Sequence, residues 1–152
     1  MSRPYISVEL ERQIIADAGH RCGYCRSDEA LTGISLSTEH IIPVSAGGLT
    51  VRENLWRSCR PCNEIKGSQT HAEDPETHEV VPLFNPREQR WDEHFAWSDD
   101  GTQLLGLTAI GRATVVALQL NRPLLVSARR RWALVGWHPP QAGTTENPSA
   151  SV

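Results

Sequence analysis

The chain has little of the positive charge that lets a protein hold nucleic acid by bulk electrostatics: over 152 residues its formal net charge is −3, with a pI near 6.1. It also lacks any apolar run approaching the roughly 18 residues that cross a bilayer, so no membrane span is expected. The opening residues, MSRPYISVELERQ, contain no apolar core of a secretory signal. The expected compartment is therefore the cytoplasm, where thiols stay reduced. Cysteine is scarce, at four residues, and in a reducing compartment paired cysteines favour a metal over a disulfide. At this length the chain fits one compact domain with a real core.

Charge is unevenly spread. Residues 1–71 are balanced, residues 72–108 carry net −7, and residues 109–152 carry net +4. A phosphate-binding surface must then draw on basic groups of the first and last segments and turn the acidic stretch away.

Local patterns divide the chain into short elements. Ser7 precedes VELERQIIADA, a capped helix with Leu10, Ile14 and Ile15 on one face and Gly19 as its stop. Leu31-Thr32-Gly33 reads as a turn. The alternation of Ile34, Leu36 and Thr38 with polar neighbours reads as a strand. Pro43 to Gly48 is a loop with Gly47-Gly48 as its flexible part, and Asn54-Leu55-Trp56 a second strand ending at Cys59. Pro61 suits the first turn of a helix running to Gly67. GSQTHAEDPETHE is polar and expected to be a surface connection. Trp91, Phe95 and Trp97 form an aromatic cluster, and Ser98-Asp99-Asp100-Gly101 predicts a hairpin turn. Thr108 caps a helix over AIGRATVVALQL, broken at Asn121-Arg122-Pro123, and a last helix follows. From residue 139 onward the chain has no apolar periodicity and is expected to be a disordered tail.

The chemistry concentrates between Cys22 and Gly67: CGYC, then TEHIIPVSAGG, then ENLWRSCRPCNEIKG. Cys22, Cys25, Cys59 and Cys62 form two i, i+3 pairs that can give four thiolates to one tetrahedral zinc ion. Four thiolates leave no open position for water, so this zinc is structural. The 33 residues between the pairs exceed the 15–20 of a simple four-cysteine finger, as expected when a catalytic hairpin is inserted there. His40 is the candidate general base, because imidazole titrates near neutral pH. Glu39 is a hard oxygen ligand suited to Mg2+ or Mn2+, and Asn63 can offer an amide oxygen to the same ion. Neighbours in a strand point to opposite faces, so Glu39 and His40 share a site only if the strand ends or bends there. Asn54 is placed to hydrogen-bond the backbone and hold the loop that carries His40. Lys66, three residues beyond Asn63 on one helical face, is a candidate phosphate contact, with Arg52, Arg57 and Arg60 ranked beside it. Arg129-Arg130-Arg131 fits a backbone contact and a solvated helix face equally well.

In this order the residues resemble the HNH endonucleases of the His-Me finger (ββα-metal) superfamily, in the branch with a four-cysteine zinc frame. The resemblance implies His40 as general base, Glu39 and Asn63 as ligands of the catalytic divalent ion, and Asn54 as the residue that orients the loop. It also implies DNA as the partner, double-stranded more than single-stranded, and products with 5′-phosphate and 3′-hydroxyl ends. Two positions depart from the common pattern: the acid is Glu where Asp is usual, and the third position is Asn where His gives the family its name. PLFNPREQRWDEHFAW and LNRP extend the likeness to about Pro140, to small stand-alone bacterial members. Within it His94 is either an auxiliary active-site contact or, as preferred, a packed histidine bridging the aromatic cluster to the finger.

The expected fold class is thus α+β: a ββα-metal finger around a four-cysteine zinc site, with a flanking N-terminal helix and a C-terminal hairpin plus helices. As domains, residues 1–138 form a single nuclease domain, with the core finger at 20–70 and an extension at 80–138, before the tail at 139–152. The alternative is a non-catalytic zinc-ribbon module that binds nucleic acid or protein, which has no use for Glu39, His40 and Asn63 together. Sequence specificity, biological pathway and oligomeric state stay open.

Overall fold

The computed structural model describes residues 4–140, and within them the chain is a mixed α+β protein with six α-helices and three two-stranded antiparallel sheets. Its contacts divide it into two compact units. One comprises the residues up to Thr70 with Asn85–Glu88, the other His71–Phe84 with the residues from Gln89 onward. No described helix is long and apolar enough to cross a membrane. The tail expected from residue 139 lies, past residue 140, outside the described residues.

The first unit opens with helix α1, Val8–Ala18. Ser7 caps it, its Oγ accepting the Leu10 N–H at 3.1 Å, and Gly19 ends it. Of the three apolar positions on its expected face, Ile14 is the one wholly buried. Leu31-Thr32-Gly33, expected as a turn, instead closes a one-turn helix α2, Glu29–Thr32. Asp28 Oδ1 accepts the Ala30 N–H at 2.8 Å and Gly33 takes the left-handed conformation, so both ends of that turn are satisfied.

The strand expected from Ile34 begins only at Ser37. Strand β1, Ser37–His40, pairs antiparallel with β2, Leu55–Ser58, with Ser37 opposite Ser58 and His40 opposite Leu55. Strand β2 offers four residues before the chain turns at Cys59, and alternation without a partner makes no ladder; Ile34 stays exposed. Gly48 corrects another expectation: it is a tight contact, since a Cβ there would overlap the Ile42 carbonyl oxygen. Helix α3, Arg60–Lys66, follows β2 after Cys59, with Pro61 in the first turn, where a missing N–H is harmless. The segment Asn85–Glu88 is fastened to this unit by Arg87. Its guanidinium donates to Asp17 at 2.9 Å and to the Leu55 carbonyl at 3.1 Å, and lies 4.9 Å from the Trp56 ring centroid.

The second unit holds the larger surprise. The stretch expected as a plain polar connection carries strand β3, His71–Glu73, paired with β4, Val80–Pro82. Asp74 at its bend is wholly buried, held by Arg112 Nε and Nη2 at 2.9 and 2.8 Å and by Thr77 Oγ1 at 2.8 Å. The Arg112 guanidinium holds this carboxyl well below the usual carboxylate range. Its partner sits 38 residues away, beyond the reach of any local pattern.

Helix α4, Trp91–His94, leads into the hairpin of β5, Phe95–Trp97, and β6, Leu104–Gly106, with Gly101 at positive φ in the turn as its Asp-Gly sequence predicts. Trp91 packs against Phe95 and Trp97 at centroid distances of 5.2 and 5.5 Å, and Phe84 meets Phe95 edge-on at 5.1 Å. Helix α5, Ala109–Ala117, is capped by Thr108, and helix α6 covers Pro123–Leu134. Arg129 on α6 belongs neither to a solvated face nor to a backbone-tracking patch. It is fully buried, donating to the Leu120 carbonyl at 2.8 Å and the Thr102 carbonyl at 3.1 Å, over the Trp97 ring. Arg130 and Arg131 are exposed.

Candidate active site and metal centre

Cys22 and Cys25 lie on the loop between α1 and α2, Cys59 immediately precedes α3, and Cys62 is in its first turn. The four Sγ atoms all fall within 4.8 Å of one another, with Cys25 and Cys59 3.7 Å apart. A tetrahedral zinc with Zn–S bonds of about 2.3 Å has edges of about 3.8 Å, so the cluster has the dimensions such an ion requires. A disulfide would bring two sulfurs to about 2.05 Å, and none of the four cysteines forms one. Burial pushes the Cys22 thiol up, while hydrogen bonding from Cys22 and the other thiols holds the Cys25 thiol down; a cation at the centre would favour the thiolate form of all four. Ser27 Oγ supports the cluster from outside, 3.2 Å from Cys25 Sγ.

Beside these cysteines lies a small pocket lined by Glu39, His40, Asn63 and Lys66, with Tyr24, Ile41, Trp56, Arg57 and Ser58 completing its wall. Glu39 and His40, the last two residues of β1, both line it. Both are half-buried. Asn63 arrives from α3, one residue after the zinc-centre residue Cys62. The His40 Nε2 atom lies 2.9 Å from Thr50 Oγ1.

Asn54 is in contact with the backbone of the loop, as its position suggests. Its Oδ1 accepts the Ile42 N–H at 2.9 Å, and its Nδ2 donates to the Ile42 and Leu49 carbonyls at 3.0 and 2.9 Å. Lys66, the single lysine of the chain, points inward. It is 4% exposed and its Nζ donates to the Ile41 carbonyl at 2.8 Å. Burial pushes its ammonium below its ordinary pKa, and the Glu39 carboxylate draws it back up.

The candidate phosphate contacts thus fall in different places. Lys66 and Arg57 are buried, and Arg57 donates to the Leu36 carbonyl, so both are committed to holding β1 and the residues around it. Arg52 forms a two-bond pair with Asp17 at 2.7 and 2.8 Å. Arg60 has its side chain 82% exposed, in a surface pair with Glu64 at 2.7 Å. An exposed pair of this kind is weak enough for a phosphate to displace. His94 sits in the second unit, its Nδ1 2.6 Å from Thr108 Oγ1 and its ring edge-on to Phe84 at 5.6 Å. Sequence reasoning missed Thr50 and Tyr24. Tyr24 lies inside CGYC and could have been suspected from that position, but Thr50 had no motif to mark it.

The first unit thus carries a four-cysteine cluster that could hold a metal ion. Residues 22–74 match the family model of the HNH endonucleases. No curated protein and no solved structure matches the chain.

Proposed function

We propose that the chain is a metal-dependent HNH endonuclease that hydrolyses DNA phosphodiester bonds, with double-stranded DNA the preferred substrate. The observation that carries the reading is the meeting of Glu39, His40 and Asn63 in one pocket beside a zinc-sized thiol cluster. A zinc-ribbon module that only binds has no need of an acid, an imidazole and an amide converging there.

In this reading His40 takes a proton from the attacking water as general base. Glu39 and Asn63 hold a divalent ion, with oxygen donors of the hardness that Mg2+ or Mn2+ prefers. When bound, that ion supplies charge neutralisation at the scissile phosphate and at the departing oxygen. Asn54 keeps the loop after His40 in place, and Arg60 offers its exposed guanidinium to the DNA backbone. Water attack with loss of the 3′-oxygen leaves 5′-phosphate and 3′-hydroxyl ends. Zinc in the thiol cluster keeps the scaffold folded and takes no part in the chemistry.

The test is cleavage of supercoiled plasmid by zinc-loaded wild type and His40→Ala, with Mg2+, with Mn2+ and with EDTA. Metal-dependent nicking that falls by several powers of ten in the variant is expected. Near-normal activity of His40→Ala overturns the mechanism, and a folded, zinc-loaded wild type that never cuts moves the reading to the binding module.

A further inference from the structure

The residue that follows the glycine pair and Leu49, Thr50, belongs to no recognised part of the cysteine, acid, histidine and asparagine pattern, yet it makes a side-chain contact to His40. The chain brings it there through a tightly held loop. Gly48 N–H donates to the Pro43 carbonyl at 2.9 Å, Gly48 itself abuts the Ile42 carbonyl, and Asn54 Nδ2 holds the Leu49 carbonyl at 2.9 Å. The next residue then presents its hydroxyl 2.9 Å from His40 Nε2.

A neutral imidazole has one nitrogen with a proton and one with a lone pair, and only the second can accept a proton from water. Which is which depends on the hydrogen bond made at the other nitrogen. If the Thr50 hydroxyl donated to Nε2, the ring proton would sit on Nδ1 and neither nitrogen could serve as base. If the hydroxyl accepts from Nε2–H, the lone pair falls on Nδ1 and the ring cannot rotate away without breaking the bond. We infer that Thr50 is the positioning residue of His40, accepting a hydrogen bond from Nε2–H so that Nδ1 is the nitrogen that takes the proton from water. The inference rests on the proposed role of His40 as general base, but the tautomer it requires can be observed without any cleavage assay.

The experiment uses the full zinc-loaded chain, wild type and the variants Thr50→Val and Thr50→Ser. Long-range 1H–15N correlation of the histidine rings at about pH 8.5, above the ordinary imidazole range, reads the tautomer directly. Wild type and Thr50→Ser are expected to carry the proton on Nε2 of His40, while Thr50→Val shows a mixture. In plasmid cleavage Thr50→Val is expected to lose about 10- to 100-fold in kcat with KM unchanged, and Thr50→Ser to recover most of it. A wild-type proton on Nδ1, or a Thr50→Val spectrum identical to wild type, overturns the inference. If wild type cuts no DNA, the nuclease reading fails and the spectra still decide the Thr50 contact. Should Thr50→Val fail to fold, the wild-type and Thr50→Ser spectra decide it alone: Nε2–H in both supports the inference, and Nδ1–H in either sinks it.

Discussion

The carboxamide of Asn54 grips Ile42 by both of its backbone polar groups, accepting its N–H at 2.9 Å and donating to its carbonyl at 3.0 Å. Its second N–H reaches the Leu49 carbonyl at 2.9 Å, so one side chain closes both ends of the loop that follows His40. Asn54→Asp keeps the acceptor and loses both donors, setting a carboxylate against two carbonyl oxygens. A loss of about 1–3 kcal/mol in unfolding free energy is expected, with cleavage at least about tenfold slower through the displaced loop. Chemical denaturation and single-turnover cleavage measure the two effects.

Lys66 offers a direct contest between two roles. Lys66→Met keeps the buried stem and leaves the Ile41 carbonyl without its donor. Stability should fall by about 1–3 kcal/mol. The salt dependence of DNA binding should stay as in wild type. A drop of about one in the slope of log K against log salt would instead make Lys66 a phosphate contact.

The thiol cluster should bind one zinc per chain, and metal binding here is folding energy. Cys62→Ser, or a chelator strong enough to strip the ion, is expected to lower the melting temperature and to abolish amide protection in α1, β2 and α3. Protection unchanged in a protein verified as zinc-free would show that the ion is not structural.

Asp17 predicts the acid limb of stability. Hydrogen bonding from Arg52, with Arg87 adding to it, lowers its carboxyl to about 2 against the opposition of burial. A depressed carboxylate contributes stability that is complete above its unfolded value near 3.9, and that contribution is lost as pH falls from there through about 2. Asp17→Asn should therefore be less stable than wild type at neutral pH, with the difference shrinking below about pH 4. Denaturant titrations at pH 7, 4 and 2.5 read this out, and a difference that stays constant with pH contradicts it.

Some of this protein is legible from short windows. Ser7 and Thr108 announce their helices because a capping oxygen acts within three residues, and Gly101 marks its hairpin because the turn needs positive φ. The β3–β4 hairpin is not legible, because its strands lack a clear apolar alternation and the buried Asp74 depends on an arginine far along the chain. Arg129 misleads in the same way: three adjacent arginines look like a surface patch, yet the carbonyls that hold one of them inside come from Thr102 and Leu120.

The sequence by itself determined the α+β class and the four-cysteine cluster, and it singled out an acid, an imidazole and an amide as candidates, because metal ligation and acid–base chemistry demand particular side chains at recognisable spacings. Only the tertiary structure decided that Lys66 and Arg57 turn inward to carbonyl oxygens while Arg60 stays outside, and that Thr50 meets His40. A side chain's type is written in the chain, but its partner is whichever group the folded backbone brings within about 3 Å, and the backbone polar groups that claim buried cations carry no letter of their own.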